Sequence, residues 1–185
     1  MQFKSTLRSA WMLAALLVVS ACAGTGGHRT AGETFDDEVL TGKVKAALIQ
    51  DDTTKARQIN VESHNGVIQL SGFVATDDEK ARAAQLAKGI EGVRQVRNDI
   101  VVREAVASNT LGTEIDDATL TAKVKAELIG NETTKARDIQ VETQRGVVQL
   151  SGFVDTSEQK AEAARVARSV SGVREVRNDL QIKPD

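Results

Sequence analysis

The sequence predicts an α+β fold used twice: two tandem αββαβ domains, each a three-stranded sheet with two helices on one face, after an amino-terminal signal peptide. Three observations carry this. First, Asp37–Ala46 is echoed by Asp117–Ala126, Gln69–Val74 returns letter for letter as Gln149–Val154, and Val96–Asp99 returns as Val176–Asp179, all at an offset of 80 residues. No gap is needed to align the copies from Asp37 to Val102, so the chain is a duplication, and two copies are too few for a solenoid. Each copy must therefore be a small domain with its own core. Second, apolar spacing within a copy switches from helical to alternating and back. Third, Asn65-Gly66 stands between two alternating runs, which is a strong hairpin signal.

In chain order, Lys4 and Arg8 precede an apolar run from Trp11 to Val19, followed by Ser20, Ala21 and Cys22. That run is too short for a bilayer core, which needs about 20 apolar residues. Its order of charged, apolar and small residues is that of a secretory signal, expected over residues 1–21. Residues 22–34, Gly-rich from Ala23 to Gly32, read as a flexible tether with His28 as a solvated linker residue.

The first domain is expected over 35–103. Leu40, Val44 and Leu48 recur at helical spacing and predict a helix from about Asp37 to Gln50. Ile59 and Val61, then Ile68 and Leu70, alternate with polar neighbours and predict two strands joined at Gly66. The second copy has Arg145-Gly146 at that turn, so glycine is expected to carry the positive backbone angle. Gly72 and Gly152 follow a core leucine by two; they either admit a close helix or mark a bulge. Thr76-Asp77-Asp78-Glu79 and Thr156-Ser157-Glu158-Gln159 are capping boxes that open a second helix. Ala83, Ala87 and Ile90 form its packing side, Gly92 stops it, and Val96, Ile100 and Val102 make the third strand. A linker over 104–114 leads to the second domain at 115–185.

Composition excludes several functions. A net charge of -2 argues against nucleic acid as a partner, which would need an excess of Lys and Arg. With no Tyr and a single Trp inside the signal, stacking platforms for bases or sugars are not expected. One cysteine excludes an internal disulfide and a multi-cysteine metal site, and no cofactor is expected. No catalytic constellation emerges either. His64 flanks the hairpin and is Gln144 in the second copy, so it reads as a solvated turn residue rather than part of a triad. Ser71-Gly72 and Ser151-Gly152 lie inside strands, without a nucleophile elbow. The protein is not expected to be an enzyme.

Val19-Ser20-Ala21-Cys22 resembles a lipobox, which implies that Cys22 is cleaved free and acylated, with chains such as palmitate. Ala23, rather than Asp, resembles the pattern that sorts lipoproteins to the outer membrane of Gram-negative bacteria. The signature Gly-Val-x-x-Leu-x-Gly-x-Val from Gly66 to Val74, with Gly-Val-x-x-Val-x-Asn from Gly92 to Asn98, resembles the BON domain in both copies. That resemblance implies the αββαβ fold and a periplasm-facing, non-enzymatic envelope module. The tandem pair would bind an anionic phospholipid surface or another envelope component, supporting outer-membrane integrity and osmotic-stress tolerance. The alternative is a chaperone-like module that binds polypeptide through exposed sheet faces or edges. For lipid, the candidate cations are Lys123 and Lys125 on the third helix and Arg165 and Arg168 on the fourth, with Lys43 and Lys45 as first-copy counterparts of the lysines. Leu120 and Ile129 are either apolar contacts beside them or core.

Overall fold

The computed structural model describes residues 31–54, 58–103, 111–134 and 136–184. Cys22, the signal, the tether up to residue 30 and most of the expected linker lie outside the described residues. The first copy consists of α1 (Ala31–Gln50), β1 (Ile59–His64), β2 (Val67–Val74), α2 (Asp77–Lys88), β3 (Gln95–Asn98) and β4 (Val101–Val102). The second repeats it with α3 (Leu111–Gly130), β5 (Ile139–Gln144), β6 (Val147–Val154), α4 (Ser157–Ser169), β7 (Glu175–Asn178) and β8 (Gln181–Ile182). The expected third strand is present but broken. Its two pieces, β3 and β4, both run parallel to β2, and Asp99 and Ile100 fall in the break. With β1 antiparallel on the other side of β2, each sheet is mixed and β2 is its centre.

The cores are those the apolar spacing predicts. Leu40, Val44 and Leu48 of α1 and Ala83 and Ala87 of α2 close over Ile59, Val61, Ile68, Leu70, Val74 and Ile100. The second copy builds the same core from Leu120, Val124, Leu128, Ile139, Val141, Val148, Leu150 and Leu180. Each such aliphatic contributes about 1.5–3 kcal/mol on burial, offset largely by chain entropy. Alanine on α2 keeps that helix close to the sheet, where a larger side chain would hold it off. Thr76 caps α2 by accepting from the Glu79 amide, and Thr156 with Gln159 forms a complete capping box on α4.

The hairpin turns differ from the expectation in one respect. Both central residues take positive φ, Asn65 at 50° with Gly66 at 75°, and Arg145 at 52° with Gly146 at 75°. This is the mirror-image turn that matches strand twist, and it needs left-handed backbone at both positions. An arginine there costs roughly 1–2 kcal/mol. The helix before the strand offsets that cost. The Asp117 carboxylate accepts from the Arg145 amide at 2.5 Å and the Gly146 amide at 2.9 Å. Asp37 clamps Asn65 and Gly66 in the same way, at 2.8 and 3.1 Å.

Candidate functional site

The central strands are buried on both faces, and the second face is polar. Along β2, Ile68, Leu70 and Val74 point to the helices, while Gln69, Ser71 and Phe73 point the other way. Gln69 and Ser71 are nevertheless only 1% exposed, because β6 of the second copy packs against them. The Gln69 Oε1 accepts from the Gly152 amide at 2.8 Å, and its Nε2 donates to the Asp179 carbonyl and the Asp99 carboxylate, both at 2.7 Å. Gln149 mirrors this on Gly72, the Asp99 carbonyl and the Asp179 carboxylate. Ser71 and Ser151 meet hydroxyl to hydroxyl at 2.8 Å. Both donors and the acceptor of each glutamine amide are thus used, which makes a dry polar seam tolerable.

The seam has an approximate two-fold axis through the serine pair. Around its rim, Asn60 donates to Glu142 at 3.1 Å, and Gln140 bonds Glu62, whose carboxyl is raised by burial and drawn back down by Lys45. His64 stacks on Phe153 with ring centroids 5.3 Å apart. This corrects the expectation that His64 is solvated: it is 3% exposed, because the face beside the hairpin meets the other copy instead of water.

The four motif glycines have distinct roles. Gly66 and Gly146 sit in the hairpin turns. Gly72 and Gly152 adopt φ of 113° and 119°, and a Cβ at either would collide with the carbonyl oxygen of Gln58 or Asp138. The close approach comes from the backbone entering the neighbouring strand, not from a helix, and the β1–β2 register is unbroken from His64–Val67 to its last pair, Ile59–Gly72. The same geometry places the Gly72 and Gly152 amides against Gln149 and Gln69 across the seam.

Since each sheet uses one face for its helices and the other for its twin, the layers run helix, sheet, sheet, helix. The outward surfaces are the two helical layers, turned in opposite directions. Lys123, Lys125, Arg165 and Arg168 are all exposed on the second of these. They share a layer rather than one cluster. Helix α4 runs antiparallel to α3: Asn131, after α3, reaches Glu162 at 2.8 Å, while Gly172, beyond α4, approaches Leu120. Arg165 lies toward the Asn131 end and gives its fork to Glu162 at 2.6 and 2.7 Å; Arg168 lies one turn nearer the Leu120 end. Leu120 is core, whereas Ile129 is 75% exposed one turn after Lys125. The first copy repeats this with Ile49, 73% exposed one turn after Lys45. Among the described residues, no helix is long and apolar enough to cross a membrane.

The Arg165 hydrogen bond, helped by Asn131, holds the Glu162 carboxyl down to about 2 from its ordinary 4.5. A depressed carboxylate stabilises the fold above its unfolded value and loses that contribution as pH falls toward 2. A carbon-detected titration should place the Glu162 midpoint near 2 in the native protein, and Arg165→Gln should move it up toward 4.5. A native midpoint at the ordinary value would mean that Arg165 is free for other anions.

The fold and its surfaces define a duplicated α+β module, joined through its sheets and open at its helices. Both halves match the BON domain, over residues 36–104 and 116–184, and the chain belongs to that family. It is 41% identical to osmotically-inducible protein Y of Escherichia coli, across 82% of this chain and 75% of that protein. It is 38% identical to outer membrane lipoprotein DolP of Haemophilus influenzae, across 80% of this chain and 75% of the relative. A 21 kDa hemolysin of Actinobacillus pleuropneumoniae is 36% identical over the same shares.

Sequence reasoning missed the seam residues Gln69, Ser71, Gln149 and Ser151 and the clamps Asp37 and Asp117. One signal was available: the hexapeptide repeated unchanged at Gln69 and Gln149 carries polar residues at its non-core positions, where a solvent-facing strand could drift.

Proposed function

We propose that the protein is a lipid-anchored, non-enzymatic envelope protein on the periplasmic side of the outer membrane, whose BON domains bind anionic phospholipid and support membrane integrity under osmotic stress. The names of its relatives, an osmotically inducible protein and an outer membrane lipoprotein, support the setting. The observation that carries the lipid reading is Ile129, a large apolar side chain left 75% exposed beside Lys125 on an outward helix. A cation and an apolar wedge on one helical face suit a headgroup region, where each cation contributes about 1 kcal/mol. The chaperone-like reading has less to work with, because the sheet faces it would use are spent on each other.

In this reading the second copy dominates: both copies carry the lysine–isoleucine pair, but Arg165 and Arg168 stand where the first copy has Gln85 and Lys88, and arginine holds phosphate through a planar fork. Lys123, Lys125 and Arg168 contact phosphate directly, and Arg165, engaged with Glu162, contributes less. Unlipidated protein should float with phosphatidylglycerol vesicles, weaken as salt rises, and stay in the load with neutral vesicles. Serine at Lys123, Lys125, Arg165 and Arg168 together should abolish flotation, while serine at Lys43 and Lys45 should change it little. Failure of the unaltered domains to float would remove the lipid reading and favour a polypeptide partner. For the anchor, mass spectrometry should find acyl chains on Cys22, and Cys22→Ser should leave the precursor uncleaved. Acylation on any other residue would refute the assignment.

A further inference from the structure

The seam that joins the copies is self-complementary. The glutamine bonds across it have counterparts related by the approximate two-fold axis: Gln69 to Gly152 against Gln149 to Gly72, and Gln69 to the Asp179 carbonyl against Gln149 to the Asp99 carbonyl. The serine pair closes on itself. An isologous face of this kind, carried twice in one chain, needs no particular chain connectivity to be satisfied.

We propose that this face also joins two molecules, the first copy of one chain docking on the second copy of another in a dimer formed by exchange of copies. The exchanged dimer keeps the seam intact, His64 on Phe153 and Asn60 on Glu142 included. Two monomers hold two seams and so does the dimer, so enthalpy is nearly indifferent between them. Opening is accessible because the surface it exposes is mostly polar. Gln69, Ser71, Gln149 and Ser151 can each be hydrated, while His64 and Phe153 lose the cover of their ring stack. Polar interfaces between domains of one chain permit such relative motion. Reclosure within a chain is favoured only by the effective concentration that covalent linkage gives the two copies, on the order of mM. Exchange therefore becomes substantial as protein concentration approaches that value, a condition that crowding on a membrane surface favours.

The test uses the chain from Ala23 to Asp185, which holds every described residue and no cysteine. One preparation carries Ser71→Cys and another Ser151→Cys. The two are mixed, incubated near mM concentration and oxidised. A disulfide between the two variants, increasing with concentration and absent when either is oxidised alone, is the expected result. A disulfide formed by the Ser71→Cys chain alone would overturn the pairing, since it would bring two first copies together. Should the cysteines disturb the seam, sedimentation of the unsubstituted chain decides: a monomer–dimer equilibrium with its midpoint within about tenfold of mM supports exchange, and strict monomers throughout that range refute it. Neither readout involves lipid, so either result leaves the phospholipid reading to its own test.

Discussion

Replacing Gly72 or Gly152 with alanine is expected to unfold the copy that carries it. Each glycine adopts a backbone conformation that L residues rarely reach, and a Cβ would strike a neighbouring strand's carbonyl oxygen, which cannot swing aside as a side chain can. Conformational strain alone costs about 1–3 kcal/mol, and the displaced strand adds to it. A loss of about 3 kcal/mol or more is large against the stability of a domain of this size. Thermal unfolding followed by circular dichroism should show the affected transition falling by roughly 12–24 °C. Gly66→Ala is the contrasting case. Its added methyl meets chiefly the flexible Arg94 side chain, with the Gly92 carbonyl oxygen farther off at 3.2 Å, and left-handed turn backbone costs an alanine only about 1–2 kcal/mol. Equal effects at Gly66 and Gly72 would contradict the role given to the Gln58 carbonyl beside Gly72.

The second large effect is expected at the glutamines. Gln69→Met keeps the bulk of the side chain but strips the Gly152 amide of its acceptor inside a buried seam and leaves the Asp179 carbonyl to Gln181 alone, at 3.0 Å. The orphaned amide costs about 1–3 kcal/mol, enough that the seam should open rather than bear it. Gln149→Met should cost at least as much, because Val101 stands where Gln181 supports the Asp179 carbonyl. The double variant should cost much less than the sum, since a seam already open has nothing further to lose. Urea unfolding of the three variants checks this; strict additivity would show that the glutamines act within their own copies.

Much of the fold was legible because burial and apolarity coincide in it. Leu40, Val44 and Leu48 lie along one helical face, Ile68 and Leu70 alternate along a strand, and Thr76 and Thr156 open helices as their spacing implies. The seam was illegible for the converse reason. Gln69 and Ser71 are buried by matched hydrogen bonds, and hydropathy alternation assigns such residues to water. His64 was misread through the same gap, as its cover is Phe153 from a strand far along the chain. Arg145 hid its left-handed backbone because the side chain that stabilises the turn, Asp117, precedes it by a whole helix and strand. Of the candidate lipid residues, charge alone did not show that Arg165 is engaged by Glu162 or that Ile129 lies outside the core. Both facts depend on how two helices pack.

The docked arrangement governs which surfaces are free, so it is the claim on which the functional reading rests. Amide hydrogen exchange at Gly72 and Gly152 tests it most directly, because those two N–H groups donate to glutamine side chains of the opposite copy. Both glycines should exchange far more slowly than exposed amides, and both should lose that protection in either Gln69→Met or Gln149→Met. Rapid exchange at both glycines in the unaltered protein, with Leu70 and Leu150 still protected, would mean that the copies stand apart and would contradict it.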